Sequence, residues 1–560
     1  MATLVACGAG LLSVQCGFSG PAPPSTGGGQ GGNSGSSNGG SSGSNSGGSS
    51  GSSTGGSSGG SNSGGTSGGS NSGGSTGGSG TGGTSGGNSG GSTGGGTGGM
   101  TGMPGTGGMM PSATGGSSGM NGLTFMNYNL TGAWPGLKAA IETKPGKLTY
   151  TKITVHTRFL AESCSIADYN KDGEPDISSG RRWWAGPDFK TENVYRGGHD
   201  DLPRAGQSAE LVTGVSDSWA CFPWDVDGDS WTDIINIVAA DEVSSLSPMP
   251  RAQQKGTMFW YKNPGNGATG MWTGNQMHAD VKHEQKLLFD ADGDGKPEIA
   301  GGCKGCNPPE TLGYFKAGAN PTGAWTYVPV IPRTYPFGGT GWLHGLGVGD
   351  VNKDGKPDLL QRSGINIQQP DGTWNNRACP GAGCGFVPVA MWDRDPADQR
   401  GGSHMFVTDI DGDNDMDIVS ADGAHHYGVS WYEQTEPLKF TKHQIISNNP
   451  ALGPVFSQPH SLQVVDMDGD GVSDIVTGKM RFAHPDGYGD PDLMGAPVLY
   501  VFKTVRNKPS MAGPVTFEAK MVDNQVGVGR QFTVGHTNKD GIPDICIGSK
   551  LGLFVFQGQP

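Results

Sequence analysis

The chain has 560 residues, 104 of them glycine, and a formal charge of −14. It contains no basic stripe of the kind that tracks a nucleic-acid backbone. It also has no 18-residue apolar run that would cross a membrane as a helix. The glycine is concentrated in the first quarter, so the remainder is far more ordinary than the average suggests.

Residues 1–24 resemble an export segment. Leu4-Val5-Ala6-Cys7 has the small-residue pattern of a bacterial lipoprotein cleavage site, and Cys16 is a second candidate. A basic leader is missing from this stretch, which leaves open an upstream start, an internal start within a signal peptide, or an apolar stub. Residues 25–120 are almost wholly Gly, Ser, Thr and Asn. Such a stretch buries too little apolar surface to offset the entropy of ordering, and it predicts a flexible linker spanning roughly 50–60 Å. Residues 121–148 form a short extension. The expected protein is extracytoplasmic and monomeric, secreted or held at the outer surface by lipid on a tether, with no other membrane contact.

From residue 149 onward one phrase recurs seven times, D-x-[DN]-x-D-G-x-x-D. It starts at Asp168, Asp225, Asp290, Asp350, Asp409, Asp466 and His536, at intervals of 57 to 70 residues. A repeat of that length is one supersecondary unit, and seven suggest a closed ring. Short apolar runs precede and follow each loop, such as LQVV (462–465) and DIVTG (474–478). Aromatic runs such as MFWYK (258–262) and VLYVF (498–502) mark a third strand, and KFTKHQII (439–446) a fourth. The predicted class is all-β: a seven-bladed β-propeller over residues 149–560, each blade four antiparallel strands. The chain stops after a third strand, while LTYTKITV (148–155) precedes the first repeat. That stray strand is expected to complete the last blade and remove the open edge.

The loops have the chemistry of a hard divalent cation site, which takes six or seven oxygens. Positions 1, 3, 5 and 9 supply Asp168, Asn170, Asp172 and Asp176; Asp225, Asp227, Asp229 and Asp233; Asp290, Asp292, Asp294 and Glu298. They continue with Asp350, Asn352, Asp354 and Asp358; Asp409, Asp411, Asp413 and Asp417; Asp466, Asp468, Asp470 and Asp474; and Asn538, Asp540 and Asp544. The expected cofactor is Ca²⁺, several ions in structural use, with the copy that begins at His536 weak or empty. Seven divalent ions would cancel the formal charge of −14. Glycine at position 6 permits a sharp turn, and Ser230 and Asn414 stand there in two copies.

Cys303-x-x-Cys306 and Cys379-x4-Cys384 are consistent with local disulfides or, together, with a four-thiolate zinc site. Cys164 and Cys221 hold equivalent places four residues before their loops, and Cys546 lies in an apolar strand as an expected buried free thiol.

These repeats resemble the FG-GAP/VCBS type, also found in the heads of integrin α-subunits, over residues 149–560. GWLHGLGVGDVNKDG (341–355), SWYEQ (430–434) and HSLQVVDMDGDG (460–471) are similar to a bacterial secreted subgroup. A more distant resemblance, to the propeller of aldos-2-ulose dehydratase, implies a metal-containing sugar lyase or isomerase. The FG-GAP resemblance implies binding more often than catalysis.

A second ring of residues stands six positions before each loop: Glu162, Trp219, Glu284, His344, Ser403, His460 and Arg530, with His283 and His404 adjacent. Core strands would show Val, Ile or Leu there. Six residues of strand place this ring roughly 20 Å from the acidic loops, round the opposite mouth of the channel. His344, His404, His460, Glu162, Glu284 and Arg530 are candidate catalytic groups, either as ligands of a transition metal or as acid and base. Trp219, His344, His404, His460, Arg530, Lys479 and His484 are candidate ligand-binding groups. Arg181-Arg182-Trp183-Trp184 and His425-His426-Tyr427 are weaker candidates that follow second strands and reach either the same surface or a lateral one, their aromatics expected mainly in packing between blades. Three functions follow: binding of carbohydrate or another cell-surface polymer, metal-assisted lyase or isomerase chemistry on a sugar, and adhesion to a protein.

Overall fold

In the computed structural model the described residues are 144–198, 200, 216–238, 256–303, 305–306, 311–331, 344–361, 364–374, 386–388, 402–483, 490–506 and 514–560. All lie in one compact unit, residues 103–560. The expected lipidation sites Cys7 and Cys16, the 25–120 linker, Cys379, Cys384 and His484 lie outside the described residues, as do the side chains of His283 and Glu284. Among the described residues the structure is all-β, with one 3-10 turn at Pro450–Leu452, and no helix is long and apolar enough to cross a membrane.

The strands alternate with turns as the apolar runs require, and they form five sheets. One is the meander Ser165–Ala167, Asp176–Ser179, Arg182–Ala185 and Thr191–Val194. A seven-stranded sheet joins two meanders through the 17-residue strand Thr273–Phe289. Its first part pairs with Gly256–Lys262 and its second with Glu298–Cys303. An eight-stranded sheet joins two more because Leu346–Gly349 pairs in parallel with His404–Thr408, Leu346 opposite His404. A fourth sheet is Leu462–Val465, Asp474–Gly478, Leu499–Val505 and Thr516–Asp523. In the last, Phe532–Gly535, Asp544–Ser549 and Gly552–Gly558 are completed by Tyr150–His156, as the stray N-terminal strand predicts.

The first strands of successive meanders touch in a closed cycle. Ser165–Ala167 meets Ser218–Trp224, which meets Thr273–Phe289, then Leu346–Gly349, His404–Thr408, Leu462–Val465 and Phe532–Gly535, which returns to Ser165–Ala167. Apolar faces of adjacent sheets pack on each other: Val476 and Val501 with Val534 and Ile545, Leu287 and Phe289 with Leu346 and Val348. The hydrophobic effect thus holds sheet to sheet, while polar side chains of the first strands tie the centre. Ser165 Oγ donates to the Cys221 carbonyl, Gln463 Nε2 to that of Phe532 and Thr533 Oγ1 to that of Cys164. Gln531 reaches further, exchanging two hydrogen bonds with the backbone of Cys221.

One cysteine expectation is corrected. Cys546 is not a free thiol but is bonded to Cys164, 382 residues away, while among the described residues Cys221 is a buried free thiol. Cycle closure is the reason: the last sheet lies against the first, so Cys546 on its second strand meets the segment that leads into Ser165. Cys303 and Cys306 form the expected local disulfide.

Candidate functional site

Each acidic loop connects the first and second strands of a meander. Position 6 has positive φ in all seven, including Ser230 at 72° and Asn414 at 77°, so the turn itself imposes the left-handed conformation. The first aspartate accepts the position-6 N–H in six loops, as Asp466 does from Gly471 at 2.9 Å. In the seventh, His536 instead meets the Ile542 carbonyl through Nδ1 at 3.1 Å.

The ninth position behaves differently from the rest. Asp176, Asp233, Asp358, Asp417, Asp474 and Asp544 each accept a backbone N–H from loop position 2 and another from the end of the third strand or just beyond it. Burial, then the neighbouring loop carboxylates, push Asp233 and Asp474 up to about 8. Carboxylate oxygens of Asp225, Asp227 and Asp229 lie within 4.8 Å of one another, as do those of Asp290, Asp292 and Asp294 and of Asp409, Asp411 and Asp417. Asp168 Oδ1 and Asp468 Oδ1 are buried without a hydrogen-bond partner. An oxygen-rich cluster with orphaned acceptors fits a divalent cation.

Opposite position 9, the third strand places Lys262, Lys316 or Lys503 in three of these loops. Lys262 pairs with Asp227 and Asp229, Lys316 with Asp292, and Lys503 with Asp468 and Asp470. The fifth loop has Glu433 at that place, and its charge adds to the upward shift of Asp411.

At the other end of the first strands lies a buried polar layer. Glu162, Trp219, His344, Ser403, His404, His460 and Arg530 are all 9 % exposed or less, where the sequence alone places them round a mouth. Three groupings arise. Glu162 pairs with Arg530 Nε at 3.1 Å and lies 3.7 Å from Lys550 Nζ. His404 and Trp219 lie near Lys286, whose ammonium sits 5.7 Å from the Trp219 ring centre and adds to the charge felt by His404, and Ser403 is the residue before His404. Both ring nitrogens of His404, Ser403 Oγ and Trp219 Nε1 are buried without a hydrogen-bond partner. Burial, then the charges of His460 and Lys286, hold His404 down at about 3.

The third grouping is His344, His460 and His425. Their ring centres are 4.7 to 5.2 Å apart, and His425 Nε2 is 2.9 Å from His344 Nε2. Gln285 fixes the backbone around them, accepting from Gly345 N at 2.9 Å and donating to the His460 carbonyl at 3.5 Å. His425 follows a second strand, so counting back from the loops does not find it. His425 enters instead as a weaker candidate after a second strand, whereas Lys286 and Gln285 are not singled out by the sequence, although polar residues at the head of the run 285–289 are a signal.

Lys479 is fully buried, donates to Ser457 Oγ at 2.7 Å and lies 3.8 Å from Asp492. Burial lowers it to about 8. Arg181 and Arg182 bind Asp200 and Glu192, and Trp183 and Trp184 enter the core, so that run serves packing. A further cluster, His278 with Cys303 and Cys306, has its thiols joined as a disulfide. The described end of the N-terminal extension lies on the acidic-loop side, where Lys144 and Gly146 donate to the carbonyls of Gly541 and Asp468.

A model of the FG-GAP-like repeat matches residues 409–477, from the fifth loop through the second strand of the sixth meander. Among solved structures, the chain is similar to an Agrocybe aegerita lectin that recognises non-reducing terminal N-acetylglucosamine, at 15% identity and TM-score 0.41, over 75% of this chain and 97% of that one. It is similar to the exotype rhamnogalacturonan lyase YesX at 13% identity and TM-score 0.33, over 74% of each chain. The Dos1 propeller aligns at 9% identity and TM-score 0.36, over 75% of this chain and 96% of that one. Residues 409–477 thus carry an FG-GAP-like repeat, set in a closed cycle of antiparallel meanders whose first two strands are joined by acidic loops.

Proposed function

We propose that the chain is an exported, seven-bladed propeller, stiffened by Ca²⁺ in its acidic loops, that binds a carbohydrate or another surface polymer in the histidine-rich layer. Support for seven blades comes from the closed cycle of seven first strands. The first six loops would hold the ion through positions 1, 3 and 5, with the position-9 carboxylates committed first to backbone N–H groups. Bound there, Ca²⁺ neutralises carboxylates that otherwise repel one another.

The observation that carries the binding reading is the set of unsatisfied buried polar atoms on His404, Ser403 and Trp219. Buried polar groups ordinarily find partners, and those left over mark places where a ligand supplies them. A sugar offers hydroxyls to pair with the first two side chains, and for the third a hydroxyl oxygen to accept from Nε1 beside an apolar ring face. The test is a glycan array probed with the calcium-loaded full chain and with Trp219→Ala and His404→Gln. Binding that both substitutions weaken at unchanged melting temperature is expected. No glycan bound, or binding indifferent to both changes, overturns the reading.

A second reading, lyase or isomerase chemistry on a sugar, is favoured by Lys479. Its lowered pKa would leave a fraction of free amine near neutral pH, suited to taking a proton beside a carbonyl. Lys479→Met abolishing turnover of a uronic acid or ketose substrate would favour it over simple binding.

A further inference from the structure

We infer that His344, His425 and His460 hold one divalent transition-metal ion, with Asp490 orienting His425 from behind. This rests on the reading of the histidine-rich layer as the functional site and adds a ligand set to it. The three residues come from three successive meanders: His344 precedes the strand Leu346–Gly349, His425 follows Asp417–Ala421, and His460 precedes Leu462–Val465. Each is 3 % exposed or less, and a nitrogen of each lies within 4.8 Å of the others.

Orientation is the first argument. The rings meet at interplanar angles of 73°, 88° and 88°, edge on, so that a nitrogen of each can face one point. Ligands of a tetrahedral ion approach a common point in this way. At Zn–N distances of about 2.0–2.1 Å, neighbouring nitrogens stand roughly 3.3 Å apart, so the 2.9 Å pair needs to open by only a few tenths of an ångström.

Tautomer is the second. His425 Nδ1 lies 3.5 Å from Asp490 Oδ2, and both side chains are nearly inaccessible. A carboxylate on that side favours a proton on Nδ1, which leaves the Nε2 lone pair toward His344. Such a carboxylate–histidine arrangement is the usual support behind a metal-binding imidazole. His344 Nε2 then carries the proton in the metal-free form, and binding of the ion at that nitrogen moves the proton to Nδ1, so the ring stays neutral.

The backbone supplies the third argument, rigidity. Gln458 donates its N–H to the His426 carbonyl at 2.6 Å, and His460 donates its own to the Gln458 carbonyl at 2.8 Å. Gln285 links Gly345 to His460. The three ligand-bearing segments are therefore fixed relative to one another before any ion arrives. Three neutral imidazoles suit Zn²⁺, Co²⁺, Ni²⁺ or Cu²⁺ rather than Ca²⁺, and they leave a fourth position for water or a ligand oxygen.

The experiment uses the full chain saturated with Ca²⁺, so that the acidic loops do not compete, stripped of other metals with dipicolinate and titrated with Zn²⁺ and, separately, Co²⁺. One Zn²⁺ retained per chain and visible d–d absorption from four- or five-coordinate Co²⁺ are expected. His425→Ala and the pair His344→Ala/His460→Ala should lose both, and His278→Ala, at the cysteine-containing cluster, should lose neither. Asp490→Asn should keep one site but bind about 10- to 100-fold more weakly, a readout that does not depend on the histidine variants folding. No Zn²⁺ retained by the wild-type chain, or retention unchanged in the histidine variants, overturns the proposal. Glycan binding that persists in either case leaves the binding reading standing by itself.

Discussion

Asp474 Oδ1 accepts the backbone N–H of Thr504 at 2.9 Å, thirty residues further along the chain, while its other oxygen accepts that of Met467 at 3.0 Å. One side chain therefore fastens an acidic loop to the far end of its own third strand. The same contact pair recurs at Asp176, Asp233, Asp358, Asp417 and Asp544, which makes position 9 a staple of the sheet before it is anything else.

Asp474→Ala leaves two N–H groups without their acceptor, and a buried unsatisfied group costs about 1–3 kcal/mol each. In calcium-saturated urea melts the substitution should cost about 2–6 kcal/mol. Asp474→Asn keeps one acceptor oxygen and should cost less. A loss no greater than that of Asp470→Asn, on the exposed part of the loop, would remove the staple role.

His404 gives the fold a dependence on acid. Its folded pKa, about 3, lies below the unfolded value near 6.5, so the unfolded chain takes up a proton that the folded chain refuses. Stability contributed by the neutral ring is present above pH 6.5 and is lost as pH falls toward 3, at up to about 1.4 kcal/mol per pH unit. Between pH 7 and pH 5 the wild-type chain should lose about 2 kcal/mol more than His404→Gln does. Equal losses in paired urea melts would mean that His404 is protonated in the folded state.

The residues show which parts of this were legible in advance. The run LQVV at 462–465 and the aromatic runs of the third strands match the observed strands because period and turn chemistry are local signals. Counting back six residues found His344 and His460 for the same reason: each meander begins its first strand at a similar distance from its loop. His425 follows a second strand, which marks its segment as able to reach the same surface or a lateral one, but nothing local decides that it meets His344. Lys286 and Gln285 sit inside one strand but act across the centre, on His404 and on the His460 backbone. The Cys164–Cys546 bond needs the first and last meanders to be neighbours, which only closure provides.

That bond links the entry to the first meander with the second strand of the last, across a separation of 382 residues. Cross-links over long loops constrain the unfolded chain most, although measured gains rarely exceed about 5 kcal/mol. Non-reducing peptide mapping should recover Cys164 and Cys546 in one species. Cys164→Ser/Cys546→Ser should unfold at lower urea with cooperativity retained, since Tyr150–His156 still pairs with Gly552–Gly558. An unchanged midpoint would show that backbone pairing alone closes the cycle.

Lys503 and Glu433 occupy the same place in neighbouring meanders and should set opposite calcium affinities. Each lies opposite the ninth position of its loop, Lys503 beside Asp468 and Asp470, Glu433 close enough to raise Asp411. An ammonium among the ligand carboxylates already neutralises part of their charge, so a divalent ion entering the sixth loop must displace it. A carboxylate in that place adds to the attraction in the fifth. Two partly exposed ion pairs are worth about 1 kcal/mol together, or roughly five- to tenfold in affinity. Lys503→Met should therefore bind Ca²⁺ that much more tightly in the sixth loop, and its melting temperature should fall further on addition of EGTA than that of the wild type. Glu433→Lys should weaken the fifth loop by a similar factor. Calcium titrations in which neither substitution moves any site would mean that the lysines swing clear of the loops, and melting indifferent to EGTA would end the calcium reading altogether.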